Sequence, residues 1–293
     1  MKQQRLRHGP LTFSTIEQGA GVPVLLLHGF PDHARTFRFQ LPALAQAGYH
    51  AIAPMMRGYE PSSQPEKPDY SLIGLAHDVL AFIEQTGHPR VHLVGHDWGA
   101  IVSYLVASMA PEKLLSLTTI AIPSPGRFVR DAWRVQPNQI LNSWYIFFFQ
   151  LPGVAELALE YRDWAFMEWL WRRWSPDFRL PPDEMRALKF TFQQTGVKKA
   201  ALGYYRALFS FRTWQDTLAT VKHLNGKIQV PTLAFTGAHD RCMDTRLHDK
   251  LMHSNDFAAG LKVTRIERAG HFLHQERPEL VNSGLLEHLA CHS

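Results

Sequence analysis

The apolar residues of this chain fall into two rhythms. Val22 to Leu27 is an almost unbroken apolar run closed by His28 and Gly29, the pattern of a parallel strand covered by helices on both faces. Ala51 to Ala53, Val91 to Val94, Leu117 to Ile122, Thr232 to Thr236 and Val263 to Ile266 repeat it, several of them ending at Gly or Pro. Leu72, Leu75, Val79 and Phe82 recur instead at helical spacing, as do Leu280, Leu285 and Leu289 near the C-terminus. The alternation predicts a doubly wound, mostly parallel α/β sheet with its chemistry at the C-terminal ends of the strands.

From about Pro125 to Thr213 the strand rhythm stops. The segment turns helical and aromatic and holds Trp133, Trp144, Trp164, Trp169, Trp171 and Trp174, six of the eight tryptophans. Pro123 and Pro125 mark its beginning, Pro176, Pro181 and Pro182 punctuate it, and Asp183 with Glu184 suit the positive end of a new helix. The predicted organisation is a core in two parts, 1–124 and 214–293, with a helical cap at 125–213. The run Trp144 to Phe149 suggests a membrane-touching lid or a pocket lining, and lining is the expectation because apolar lid helices normally pack on the core.

Composition narrows the functional classes. At 293 residues and 45% hydrophobic the chain suits one large core carrying an insertion. The net charge of +5 comes from basic residues scattered as singles and pairs, such as Arg172 with Arg173 and Lys198 with Lys199, which argues against nucleic acid. Cys242 and Cys291 are too few for a disulfide framework and lie at no metal-ligand spacing, so a cytoplasmic setting is expected, with neither metal nor cofactor. Neither a leader nor a membrane span is expected, because Met1 to His8 is polar and basic and the densest apolar run falls short of the roughly 20 residues that span a bilayer. Oligomeric state is not legible.

Candidate chemistry begins after Val91 to Val94. Gly95, His96, Asp97, Trp98 and Gly99 separate that strand from the apolar helical stretch Ala100 to Ala110, which is the setting of a nucleophile elbow. Small flanking residues let the central side chain project above the sheet in a strained conformation. Here it is an aspartate, whose carboxylate suits displacement at a saturated carbon where serine suits acyl carbons. The following helix N-terminus favours its ionised form.

An aspartyl ester must be freed by water, which calls for a general base and a group that orients it. The strand Thr232 to Thr236 leads into Gly237, Ala238, His239 and Asp240, and Val263 to Ile266 leads into Ala269, Gly270, His271 and Phe272. Asp97, Asp240 and His271 then stand in the order nucleophile, acid, base. Asp244 is the competing acid, further from its strand end. His239 and His274 read as solvated or hydrogen-bonded neighbours, and His28 as a brace for its loop. The backbone N–H groups of Phe30 and Trp98 are the expected oxyanion donors, with Pro31 fixing the turn at Phe30.

Together HGFP at 28–31, GHDWG at 95–99, Asp240 and AGHF at 269–272 resemble the epoxide hydrolase branch of the α/β-hydrolase fold over nearly the whole chain. Within the cap, SWYIFFFQLPGVAE at 143–156 and LGYYR at 202–206 are similar to the two family segments that present a tyrosine to the nucleophile. The resemblance therefore implies Tyr145 and Tyr205, and not Tyr204, as donors to an epoxide oxygen, with a small apolar epoxide and water as reactants. An alkoxide is a poor leaving group, so phenolic donors make chemical sense there. One departure is Met55 and Met56 ahead of Arg57 and Gly58, where relatives often carry an acidic residue. It puts the bracing of that loop in doubt.

Two other functions compete. Haloalkane or haloacid dehalogenation uses the same aspartate, with the Trp98 indole as a halide donor, but a halide leaves without needing an acid. A non-catalytic ligand-binding protein would enclose an apolar molecule and have no use for the reactive groups. A serine esterase is disfavoured because the elbow holds no serine and Ser103 is at least a helical turn away.

Overall fold

Alternate residues of one strand show how the sheet is covered. Leu25 and Leu27 of β3 (Pro23–Leu27) belong to one buried cluster, Val24 and Leu26 to a second on the opposite face, as a period of two requires. The computed structural model describes residues 4–210 and 214–293, with the side chains of 214–217 excepted, so the expected end of the cap at residue 213 lies outside the described residues. Its sheet comprises β1 (Arg5–His8), β2 (Leu11–Gln18), β3, β4 (His50–Pro54), β5 (Val91–His96), β6 (Leu114–Ile120), β7 (Thr232–Gly237) and β8 (Leu261–Ile266), in the order β1-β2-β4-β3-β5-β6-β7-β8. β1 and β2, and β2 and β4, are antiparallel, and the other neighbours are parallel.

One face is covered by α1 (Gln40–Gln46) and α13 (Pro278–Ala290), whose Leu41, Leu44, Val281, Leu285 and Leu289 meet Val94, Ile120 and Phe235. The other carries α2 (Leu72–Gln85) and α3 (Trp98–Met109), whose Leu75, Val79, Phe82, Val102 and Leu105 meet Leu25, Leu93 and Leu117. Burying a side chain of this size stabilises the fold by roughly 1.5–3 kcal/mol. Ser71 caps α2 by accepting from the Gly74 N–H.

Between β6 and β7 the chain leaves the sheet for α4 (Pro125–Val135), α5 (Gln139–Asn142), α6 (Trp144–Phe148), α7 (Val154–Trp174), α8 (Pro182–Gln193) and α9 (Val197–Ala207), then returns through α10 (Trp214–Leu224). The remaining helices are α11 (Arg246–Leu251) and α12 (Leu273–Glu276). Left-handed or extended backbone at Tyr161–Trp164 breaks α7 into two pieces. Among the described residues no helix is long and apolar enough to cross a membrane.

Three local expectations need correction. The antiparallel pair β1 and β2 was not anticipated, although Leu11, Phe13, Thr15 and Glu17 alternate as buried positions along β2. β8 is an edge strand with Val263 exposed, not a strand covered on both faces. Leu280 points to solvent, and Val281 takes the inward position on α13.

Candidate active site

The turn from β5 into α3 holds Asp97 at φ 51°, ψ −120°, a backbone region costly for any residue with a β-carbon. Crowding explains the glycines around it. A β-carbon at Gly29 would collide with the Asp97 carboxylate, one at Gly95 with the Gly99 carbonyl, and one at Gly99 with the Leu27 carbonyl. The loop after β3 is thus pressed against the elbow, and the Phe30 N–H donates to Asp97 Oδ1 at 2.8 Å. The Phe30–Pro31 peptide is cis. Trp98 is the first residue of α3, directly after the aspartate, and its ring lies edge-on to Tyr205 at 5.0 Å between centroids.

The other oxygen, Asp97 Oδ2, lies 3.4 Å from His271 Nε2. His271 Nδ1 is 2.9 Å from Asp240 Oδ2, while Asp240 Oδ1 accepts from the N–H groups of Cys242 and Met243 at 2.7 and 2.9 Å. Asp97, Asp240 and His271 are all buried. Asp244 turns away and pairs with Arg246 and Gln136. His239 pairs with Asp177 at the surface. His274 is buried with its Nε2 2.6 Å from the Thr36 hydroxyl.

Burial by itself would raise the Asp97 carboxyl. The His271 imidazole, with His96 and the Phe30 N–H, outweighs it and holds the group below the usual carboxylate value. Burial likewise disfavours a charged His271, but Cys242, Asp240 and Asp97 around it push its pKa well above that of a free histidine.

Tyr145, on α6, and Tyr205, on α9, both from the helical segment between β6 and β7, have ring centroids 5.8 Å apart. Phe149 packs edge-on against both, Phe30 against Tyr205, and Trp174 against both Tyr145 and His271. Tyr145 Oη is 3.3 Å from Cys242 Sγ, and Tyr205 Oη meets no acceptor among the described residues. Both phenols are pushed well above 10, first by burial and then by neighbours that include Asp97, so they are protonated donors at any ordinary pH. Tyr204 is just as buried but donates to the Arg57 carbonyl at 2.7 Å.

The loop at Met55 and Met56 is braced without an acidic residue of its own. His28 Nε2 accepts from the Met56 N–H at 2.9 Å, and Arg57 forks onto Asp78 with two bonds of 2.6 Å. Burial lowers His28 to about 4, so the ring is neutral, as an accepting nitrogen requires.

Sequence reasoning left three groups out of the site. Cys242 touches Tyr145, and its place two residues after Asp240 is the sequence signal that could find it. Trp174, seen only as one more cap tryptophan, supplies a carbonyl to the His271 N–H at 3.2 Å. Behind His271, Asp32, His96 and His274 each bring a potential ligand atom within 4.8 Å of one another, the one such group among the described residues. Their bonds make a polar floor: His96 Nε2 donates to the His271 carbonyl at 3.0 Å, and Asp32, pushed up to about 7 by burial, accepts from Gln275 and the His33 N–H.

A family model described as the alpha/beta hydrolase fold matches residues 22–278. The chain is 31% identical over 306 residues to epoxide hydrolase A of Mycobacterium tuberculosis (strain ATCC 25618 / H37Rv), a match covering 93% of this chain and 91% of that protein. It is 29% identical over 288 residues to epoxide hydrolase 4 of Homo sapiens, covering 95% and 75% respectively. Among solved structures, an epoxide hydrolase from Vigna radiata aligns with a TM-score of 0.82 at 27% identity, covering 99% of this chain and 97% of that one.

Proposed function

Because the chain belongs to the epoxide hydrolases of the α/β-hydrolase fold, we propose that it opens a small apolar epoxide with water through an ester on Asp97. The observation that carries this reading is a pair of buried phenols that both feel the charge of a buried carboxylate, one of them with no acceptor of its own. Such a donor suits the oxygen of a three-membered ring, which gains charge as its C–O bond breaks.

Asp97 Oδ1 is occupied by the Phe30 N–H, which leaves Oδ2 to attack the ring carbon. As the Oδ2–C bond forms and the ring C–O bond breaks, Tyr145 or Tyr205 gives its proton to the departing alkoxide. Alkylation removes the negative charge beside His271 and lowers the affinity of the imidazole for a proton, so it releases its proton to solvent, enters the second half as a base, and recovers a proton from solvent when the free carboxylate returns. It takes a proton from water, hydroxide adds to Asp97 Cγ, and the oxyanion at Oδ1 rests on Phe30 N–H, joined by that of Trp98. Breaking the Cγ–Oδ2 bond releases the second alkoxide, which recovers the proton from His271, and the regenerated Asp97 acid reprotonates the tyrosinate. Asp240 orients the imidazole throughout. No step calls on a cofactor.

The rings packed on Tyr145 and Tyr205 are Phe30, Phe149, Trp98 and Trp174, which suits an apolar, aromatic-tolerant substrate. Unpaired Cys242 and Cys291 support a cytoplasmic setting. A single turnover in water enriched with heavy oxygen tests the mechanism. The label should enter Asp97 first, and its appearance in the diol alone sinks the ester. Supplying styrene oxide and a bromoalkane side by side tests the substrate class: diol without bromide is expected, and bromide release favours the dehalogenase.

A further inference from the structure

The cap differs from the core in two surface properties at once. Residues 125–213 hold 13 of the 31 Lys and Arg and 8 of the 26 Asp and Glu, so the cap carries a formal +5 and the remaining residues, with 18 of each sign, carry none. The same segment holds 14 of the 19 exposed large hydrophobic side chains among the described residues, from Val129 to Phe209. Apolar exposure concentrated on one part of a surface marks an interaction site, whereas scattered single residues need no explanation.

Part of this exposure forms one aromatic plate. Trp169 stacks on Phe166 at 5.8 Å, and Trp144 lies within 6.2 Å of Trp169, Phe166 and Phe148. On the same short helix Phe147 reaches Phe209 at 6.1 Å, with Ile140 and Leu141 exposed one turn earlier. Tyr145 and Phe149 face inward from that helix, so α6 is amphipathic, and the expectation that the whole run Trp144 to Phe149 lines the pocket holds for only part of it. Arg172 and Arg173, exposed and unpaired with any carboxylate among the described residues, follow Trp169 by three and four positions on α7, the spacing that puts side chains on one side of a helix.

We propose that this outer face of the cap docks on an anionic lipid bilayer. Tryptophan and phenylalanine backed by arginine is the composition that rests at the headgroup boundary, with rings in the acyl region and guanidinium groups on phosphates. Charge sets this occupant apart from a second copy of the chain, because two caps of +5 brought face to face repel. Docking there puts the helix that bears Tyr145 against the phase into which apolar epoxides partition. The attachment itself does not depend on the chemistry proposed above.

Co-sedimentation of the full chain with vesicles tests it. Vesicles of mixed phosphatidylglycerol and phosphatidylcholine should carry the protein down, pure phosphatidylcholine should carry little, and raising the salt several-fold should weaken binding by about tenfold as the Debye length shrinks. Leu141→Ser with Phe147→Ser, and separately Arg172→Glu with Arg173→Glu, should each reduce binding by about tenfold and leave turnover of a water-soluble epoxide unchanged. The Asp97→Ala protein should bind vesicles like the parent, which separates failure of docking from failure of the chemistry. The proposal is overturned by absence of the protein from the anionic vesicle pellet, by binding indifferent to both double variants, or by light scattering that shows a dimer dissolved by the Leu141 and Phe147 changes.

Discussion

Asp97, Asp240 and His271 stand at the ends of core strands and are each fixed by backbone N–H groups or by one another, whereas Tyr145 and Tyr205 hang from cap helices and are fixed by ring contacts and one thiol. Directional bonds hold a group to a few tenths of an ångström; ring packing tolerates sliding. Under the proposed mechanism the strand-end groups suit a single bond-forming geometry, and the two tyrosines suit following a ring oxygen whose position varies with the substrate.

The contrast predicts steep losses from core substitutions and graded ones from the cap. Asp97→Ala should remove turnover by on the order of 10⁴-fold or more, since no other group supplies the bond; diol formation near the parent rate would leave the core without its special status. His271→Gln should leave the first half intact, so that intact-protein mass spectrometry detects an accumulating ester while steady-state turnover falls by roughly 10³-fold. Tyr145→Phe and Tyr205→Phe should each slow ring opening by about 10²-fold or less, with the double variant well below either, because each donor partly covers for the other. Cys242→Ser should stay within a few-fold of the parent while shifting Tyr145 enough to alter which ring carbon is attacked, a change read from the product ratio.

Acidity separates the two chemical steps. Asp97 is held below the ordinary carboxylate value, so ester formation, followed by stopped flow, should persist as pH falls to about 5. In the proposed mechanism ester hydrolysis needs neutral His271, so it should slow over that same fall, with more ester at steady state. A common pH dependence for both halves contradicts the roles given to these residues.

Core elements were legible because their signal is local. Five residues of β3 announce themselves as a covered strand, and Gly95 and Gly99 bracket an aspartate between strand and helix. Asp240 over Asp244 followed from distance to a strand end, and in the structure only Asp240 meets His271. Tyr145 and Tyr205 needed a family likeness, because aromatic residues abound in the cap and periodicity does not separate Tyr204 from its neighbour; the carbonyl that receives Tyr204 belongs to Arg57, 147 positions away. The same holds for the Cys242 thiol and for Trp174, which meet Tyr145 and His271, residues remote in sequence. Which side of α6 meets solvent was likewise a matter of tertiary packing.

The segment Trp171 to Ser175 belongs to both halves of the molecule. Trp171 lies flat on Phe272 with ring centroids 3.4 Å apart and its indole N–H donates to the Pro31 carbonyl, while the Trp174 carbonyl and Ser175 hydroxyl accept from the backbone of His271 and Phe272. A roof riveted to its own machinery in this way does not swing open as a door: lifting it rigidly strips the buttress from the imidazole and the proline turn together. Grafting a foreign helical segment onto this core should succeed only if Trp171, Trp174 and Ser175 travel with their original seat.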